Sequence, residues 1–106
     1  MHLLDSCRKK LICIPFVHEV SGGIASEYFN QVSQNDRSFV LITAGPGLTN
    51  IITSISGAWL ESRELLVVGG QVKSSDLATD DLRQRGIQEV KGVSIVKPIT
   101  KVSVQI

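Results

Sequence analysis

A chain of 106 residues falls in the usual size range of one domain, and about a third of it is Leu, Ile, Val or Phe. That is enough for one apolar core and too much for wholesale disorder. Against 10 acidic residues stand 11 Lys and Arg, a net charge of +1 with the cations scattered, so no electrostatic footprint for nucleic acid or a lipid surface is present.

No apolar stretch approaches the ~20 residues that span a bilayer, and the N-terminal charges follow the apolar pair instead of preceding it as in a signal peptide. Cys7 and Cys13 match no redox or zinc spacing. The expectation is a soluble cytoplasmic domain with reduced cysteines, Cys13 buried.

In chain order, residues 11–14 with Phe16 and Val17 form a short apolar run broken by Pro15, which suggests an edge or terminal strand. Residues 19–31 place Val20, Ile24, Tyr28 and Gln31 on one helical stripe, and Asn35-Asp36 then makes a turn. Residues 39–43 read as a strand buried on both faces. After Gly45-Pro46-Gly47, Thr49 or Asn50 can cap a helix in which Ile51, Ile52, Ile55, Ala58 and Trp59 recur up to Leu60. Leu65-Leu66-Val67-Val68 is a second apolar strand, stopped by Gly69-Gly70. Residues 72–88 are polar and irregular, 93–96 suit one helical turn, and 99–106 read as a last strand. This alternation predicts an α/β fold, a parallel sheet flanked by helices.

His18-Glu19 lacks the second imidazole of a zinc-protease helix, and no phosphate-loop, dinucleotide or nucleophile-elbow motif occurs. Three places remain. Glu19 follows an apolar run at the start of a helix, where a carboxylate is favoured. The turn over residues 43–50 carries two glycines that let its backbone approach a ligand, and the helix start offers free amide donors. Gly69-Gly70-Gln71-Val72 ends the second strand. All three fall at the carboxyl edge of the expected sheet, where open α/β sheets bind ligands. On these residues alone, each place also has an ordinary structural role, and an anion site at residues 45–50 stays open.

His18-Glu19, Ala44-Gly45-Pro46-Gly47-Leu48-Thr49-Asn50, Gly57-Ala58-Trp59-Leu60-Glu61-Ser62 and Gly70-Gln71-Val72 resemble the pyrimidine-binding domain of thiamine-diphosphate enzymes. Residues 82–90 and 94–101 narrow the resemblance to the acetolactate-synthase-like branch, collinear from about Lys10 to Lys101. Val20 stands where the family has Gln, and Phe29-Asn30-Gln31 where it has Tyr-Ala-Arg. The resemblance implies thiamine diphosphate as cofactor, with magnesium held by a diphosphate-binding domain that this chain lacks. It implies Glu19 as the catalytic glutamate against the pyrimidine ring, sharing a proton with it, which is easier if an apolar pocket raises the pKa of the carboxyl. Gly45, Pro46, Gly47, Asn50 and Gln71 are then cofactor contacts, Gln88 lies near the substrate, and no residue here holds metal. Leu48 and Trp59 pack the helix.

The resemblance also implies one partial domain over residues 1–106, truncated at both ends, because the family's first and last strands would lie outside it. The strands at 39–43 and 65–68 must then close into a smaller sheet or borrow pairing from another copy, so a homo-oligomer, C2 by preference, is expected. The leading functional reading is the pyrimidine-binding part of a decarboxylating, carboligating enzyme acting on a 2-oxo acid, inactive alone. The alternative is a stand-alone interaction or oligomerisation module of the same fold.

Overall fold

The computed structural model describes residues 2–79 and 81–106. Its elements are α1 (His2–Arg8), α2 (Glu19–Val32), β1 (Val40–Ile42), α3 (Pro46–Leu60), β2 (Val67–Gly69) and α4 (Gly92–Val96), with 3-10 turns at Ser74–Asp76 and Lys97–Ile99. β1 and β2 pair in parallel, Val40 beside Val67 and Ile42 beside Gly69. Val40 N–H to Leu66 O (2.9 Å) and Gly70 N–H to Ile42 O (3.0 Å) extend the ladder. α3 is the crossover between them, as a parallel pair requires. The expected α/β class, a parallel sheet with flanking helices, is what the chain forms.

The core lies between α3 and the sheet. Ile42, Ile51, Ile55 and Val96 are buried together, with Val40, Leu48, Ile52, Leu65, Val67 and Ile99 packed around them. The helical spacing read from Ile51 to Ala58 therefore marks the buried face of α3, but it overreaches at the end: Trp59 and Leu60 are exposed. The cap differs as well. α3 begins at Gly45 with Pro46 in its first turn, the arrangement proline favours, and the Thr49 hydroxyl bonds back to Pro46 O at 3.1 Å. At the other end Ser62 takes a left-handed φ of 54°. Arg63 N–H reaches Ala58 O at 2.8 Å and Ser62 N–H reaches Trp59 O at 3.2 Å, a Schellman closure with serine where glycine is usual.

α2 spans the expected residues and turns the opposite face inward. Gly22, Gly23, Ser26, Glu27 and Asn30 are buried, whereas Ile24 and Tyr28, from the expected apolar stripe, are 44% and 51% exposed. Close approach explains the choice. A Cβ on Gly23 would overlap Ser54, whose hydroxyl donates to Val20 O at 2.8 Å. The buried polar groups are all matched. Asn30 accepts from Ser38 N–H (2.7 Å) and donates to Ser38 O and Glu64 O, which ties α2 to the residues entering both strands. Glu27 pairs with Arg63 at 2.9 Å, and Arg63 also lies 4.5 Å over the Tyr28 ring. No buried side-chain polar atom among the described residues lacks a partner, as the cost of such atoms demands.

Three expectations fail at the periphery. Residues 11–17 pair with no strand, Ile12 and Val17 being fully solvated, and Cys13 is exposed. Residues 99–106 form no last strand: Ile99 ends a 3-10 turn and the remainder is irregular. The expected five-residue strand at 39–43 shrinks to three residues, with Phe39 37% exposed and Leu41 half-buried. Only the shortening of β1 and its exposure have a cause in the sheet itself. Each strand of a two-stranded sheet has one ladder partner, which leaves its other edge and part of each face uncovered.

The surface records the same deficit. It measures 8000 Å², against about 5,800 Å² for a compact monomer of this mass. The radius of gyration is 14.4 Å, against about 13 Å for a compact chain of this length. Among the described residues, no helix is long and apolar enough to cross a membrane.

Candidate functional site

His18 explains how the Glu19 carboxylate comes to its place. In extended conformation before α2, its Nδ1 accepts the Val20 N–H at 3.2 Å. It caps the helix and fixes Glu19 as the first helical residue. The pair was legible as a motif, yet the capping role of the histidine was not, because histidine is not a common cap.

The first turn of α3 meets the first turn of α2 at this point. Asn50 Nδ2 donates to Glu19 Oε2 at 3.1 Å. Gly47 is buried, and a Cβ there would stand 2.8 Å from Thr43 Cγ2 and 3.5 Å from Glu19 Oε1. A side chain at position 47 would fill the space in front of the carboxylate. Glu19, Gly47 and Asn50 thus form one cluster, drawn from two elements 31 residues apart in sequence.

The surroundings of Glu19 in the free chain do not supply the apolar pocket that would raise its pKa. Its own backbone N–H, then the Asn50 amide and, more weakly, His18 hold the carboxyl below its ordinary value, with partial burial opposing them. The free chain therefore presents an ionised carboxylate at the turn. A negative charge beside the first turn of α3 also compensates that helix end itself, which works against a second anion there.

Gly45 is committed to another contact. With φ 61° and ψ −112° it occupies backbone space closed to other residues, and a Cβ would overlap Gln88 O. Gln88 has a left-handed φ of 57°, so the loop after β2 lays its backbone on the turn. Pro46 is exposed at the rim. Gln71 does not join Glu19: its amide donates to Val90 O at 2.8 Å and accepts the Val72 N–H at 2.9 Å, both inside the loop.

The carboxyl edge of the sheet does carry a groove, of about 290 Å³, lined by Thr43, Ala44, Gly69, Gly70 and Gln71 together with Leu3 and Leu4 of α1. Glu19 and Asn50 are not part of its lining. α1 itself was not expected from the sequence; apolar residues at two adjacent positions give too little helical pattern to read.

The absent side chain at position 47 leaves the Glu19 carboxylate facing the turn backbone, an arrangement able to hydrogen-bond one polar group of a ligand, whereas at position 45 the corresponding space is taken by Gln88. Neither position offers anything to a diphosphate. Among the described residues, no three His, Cys, Asp or Glu side chains gather as a metal site.

Over residues 1–95 the sequence matches the family described as thiamine pyrophosphate enzyme, N-terminal TPP binding domain. It is 35% identical over 89 residues to the mitochondrial acetolactate synthase of Schizosaccharomyces pombe, covering 84% of this chain and 12% of that protein. Similarity to the acetolactate synthase large subunit of Lactococcus lactis reaches 43% over 67 residues, 63% of this chain and 11% of the relative. For the large subunit of Cyanidium caldarium the figures are 35% over 95 residues, 89% and 15%. The chain thus spans 12% of the length of the Schizosaccharomyces protein and a similar small part of the others. With most of its length inside the family's bounds, and the glycine turn and His-Glu pair brought together in space, the chain belongs to the N-terminal thiamine pyrophosphate-binding domain family, in its acetolactate-synthase-like branch.

Proposed function

We propose that residues 1–106 are the pyrimidine-side part of a thiamine-diphosphate-dependent, acetolactate-synthase-like enzyme that decarboxylates a 2-oxo acid such as pyruvate and joins it to a second one. The observation that carries this reading is the Asn50–Glu19 hydrogen bond across the front of Gly47. When bound, thiamine diphosphate supplies the nucleophilic carbon. The chain's residues have narrower tasks. Glu19 shares a proton with a ring nitrogen and so sets the protonation of the ring. Asn50 holds that carboxylate in one orientation. Gly45, Pro46 and Gly47 give the ring a close, rigid backbone surface, while Gln71 and Gln88 stand on the loop beside it.

Because a free Glu19 is held ionised, the shared proton would arrive on the ring, or be taken from water once the ring displaces the Asn50 donor. The diphosphate and magnesium are the work of another domain, on a longer chain or a partner, so the 106-residue chain does not turn over by itself. The test is product formation from pyruvate with cofactor and magnesium. Turnover is expected from a full-length enzyme carrying this domain and not from the chain alone; a full-length protein that binds cofactor and never turns over would favour the non-catalytic module.

The excess of exposed surface supports an assembly. Ile24, Tyr28 and Val32 follow one another at helical spacing on α2 and are exposed, and an exposed apolar stripe of this kind marks interfaces. The chain is expected to sediment as a dimer or larger at low micromolar concentration, with Tyr28→Glu shifting it toward monomer. A wild-type monomer at tens of micromolar would contradict this.

A further inference from the structure

Glu89 has no part in the site described so far, yet among the described residues of the loop after β2 it is the side chain with the most hydrogen bonds. Its Oε1 accepts the Ala78 N–H at 2.7 Å, and its Oε2 accepts the N–H groups of Arg85 and Gly86 at 3.0 and 3.1 Å. Among its described residues the loop has little regular structure of its own, one 3-10 turn at Ser74–Asp76, so these bonds stand in for a backbone ladder. A charged acceptor taking three backbone donors is among the stronger ways to fix an irregular segment. Next in sequence is Gln88, whose left-handed backbone lies on Gly45. A residue other than glycine holds that conformation only where its surroundings impose it.

We propose that Glu89 is a positioning residue for the Gly45-Pro46-Gly47 turn: by gathering three loop N–H groups it fixes Gln88 against Gly45, and so sets how wide the turn stands open to the cofactor ring. The Gln71 amide, bonded to Val90 O, closes the loop on the other side of Glu89. The N–H groups of Ala78, Arg85 and Gly86, aided by the nearby charge of Lys91, hold the Glu89 carboxyl below its ordinary value. The clasp is therefore intact above the usual carboxylate range and released as pH falls through the lowered value. This role rests on reading the turn as the cofactor surface, whereas its test uses the free chain, so the two fail separately.

The experiment is backbone-amide NMR of the chain without cofactor, wild type and Glu89→Gln, titrated from neutral pH into the acid range. In the wild type, the amides of Ala78, Arg85, Gly86 and Gly45 are expected to share one midpoint below 4.5, the ordinary value. Glu19 titrates nearby and is read separately at Gly47 and Asn50. In Glu89→Gln the shared midpoint disappears from all four amides, and the three loop N–H groups exchange roughly tenfold faster, while Ile51 and Ile55 keep their protection. If Gly45 titrates unchanged in Glu89→Gln, or follows only the Glu19 midpoint in the wild type, the proposal is overturned. The wild-type comparison decides alone should the variant not fold.

Discussion

Glu19→Gln is expected to slow cofactor activation by about 10²–10⁴-fold, the usual contribution of a positioned acid–base group, while cofactor affinity in the full-length enzyme changes by less than about tenfold. The side chain keeps its volume, and its amide still meets Asn50 through one oxygen, so the turn at Gly47 is preserved. What is lost is the capacity to exchange a proton with the ring. The separation of effects follows from the proposed roles: in that reading the ring would rest on the backbone of the turn, and Glu19 would set its protonation. Exchange of the thiazolium carbon-bound proton, followed by NMR in the holoenzyme, reads activation without turnover. Unchanged exchange in Glu19→Gln would assign the role elsewhere.

Gly45→Ala and Gly57→Ala should move stability in opposite directions although the chemical change is the same. At Gly45, φ 61° and ψ −112° cost a Cβ-bearing residue on the order of 1–3 kcal/mol. The added carbon would also overlap Gln88 O, so the loop must move or the turn must refold. A loss of roughly 2–4 kcal/mol follows, together with release of the loop. Gly57 lies inside α3 with nothing within 4 Å of a built Cβ. Alanine there removes backbone freedom from the unfolded chain and improves helix propensity, a gain of about 0.5–1 kcal/mol. Urea unfolding of the two variants against wild type measures both signs in one experiment. A Gly45→Ala variant as stable as wild type would mean the turn is not held as described.

The sequence was most legible where a single periodicity coincided with a core. α3 reads correctly because Ile51, Ile55 and Ala58 are both helically spaced and buried. β1 and β2 read correctly as strands because their apolar runs pack on that helix, but not in their bounds: β1 keeps three of the five residues of 39–43, and β2 runs from Val67 through Gly69, read as its stop, and leaves out Leu65 and Leu66. α2 misleads because its tightest contact uses small and polar residues: Gly23 against Ser54, Asn30 bonded to Ser38 and Glu64, Glu27 paired with Arg63. Hydrophobicity patterns see none of these. Residues 11–17 and 99–106 have strand composition, but a strand is a property of a pair, and composition carries no information on whether a neighbour is present.

At the site, the two-glycine turn and Glu19 were legible as residue types, and their meeting through Asn50 was not, since it depends on how α2 and α3 cross. Gln71 shows the opposite case. It stands at the expected sheet edge, yet both ends of its amide are spent on Val72 and Val90, and Glu89, which no motif distinguished, holds the loop that reaches Gly45.

In the proposed function, residues 1–106 carry the ring-side half of a divided cofactor site. Calorimetry with thiamine diphosphate and magnesium addresses it directly, on the 106-residue chain and on a full-length enzyme carrying it. The expected result is no measurable heat, or affinity no tighter than millimolar, for the chain alone, and binding at least about 100-fold tighter for the full-length protein, a difference of roughly 2.7 kcal/mol or more supplied by diphosphate and metal contacts. Micromolar affinity in the well-behaved isolated chain would contradict it, because the cluster of Glu19, Gly47 and Asn50 would then be binding more than a ring.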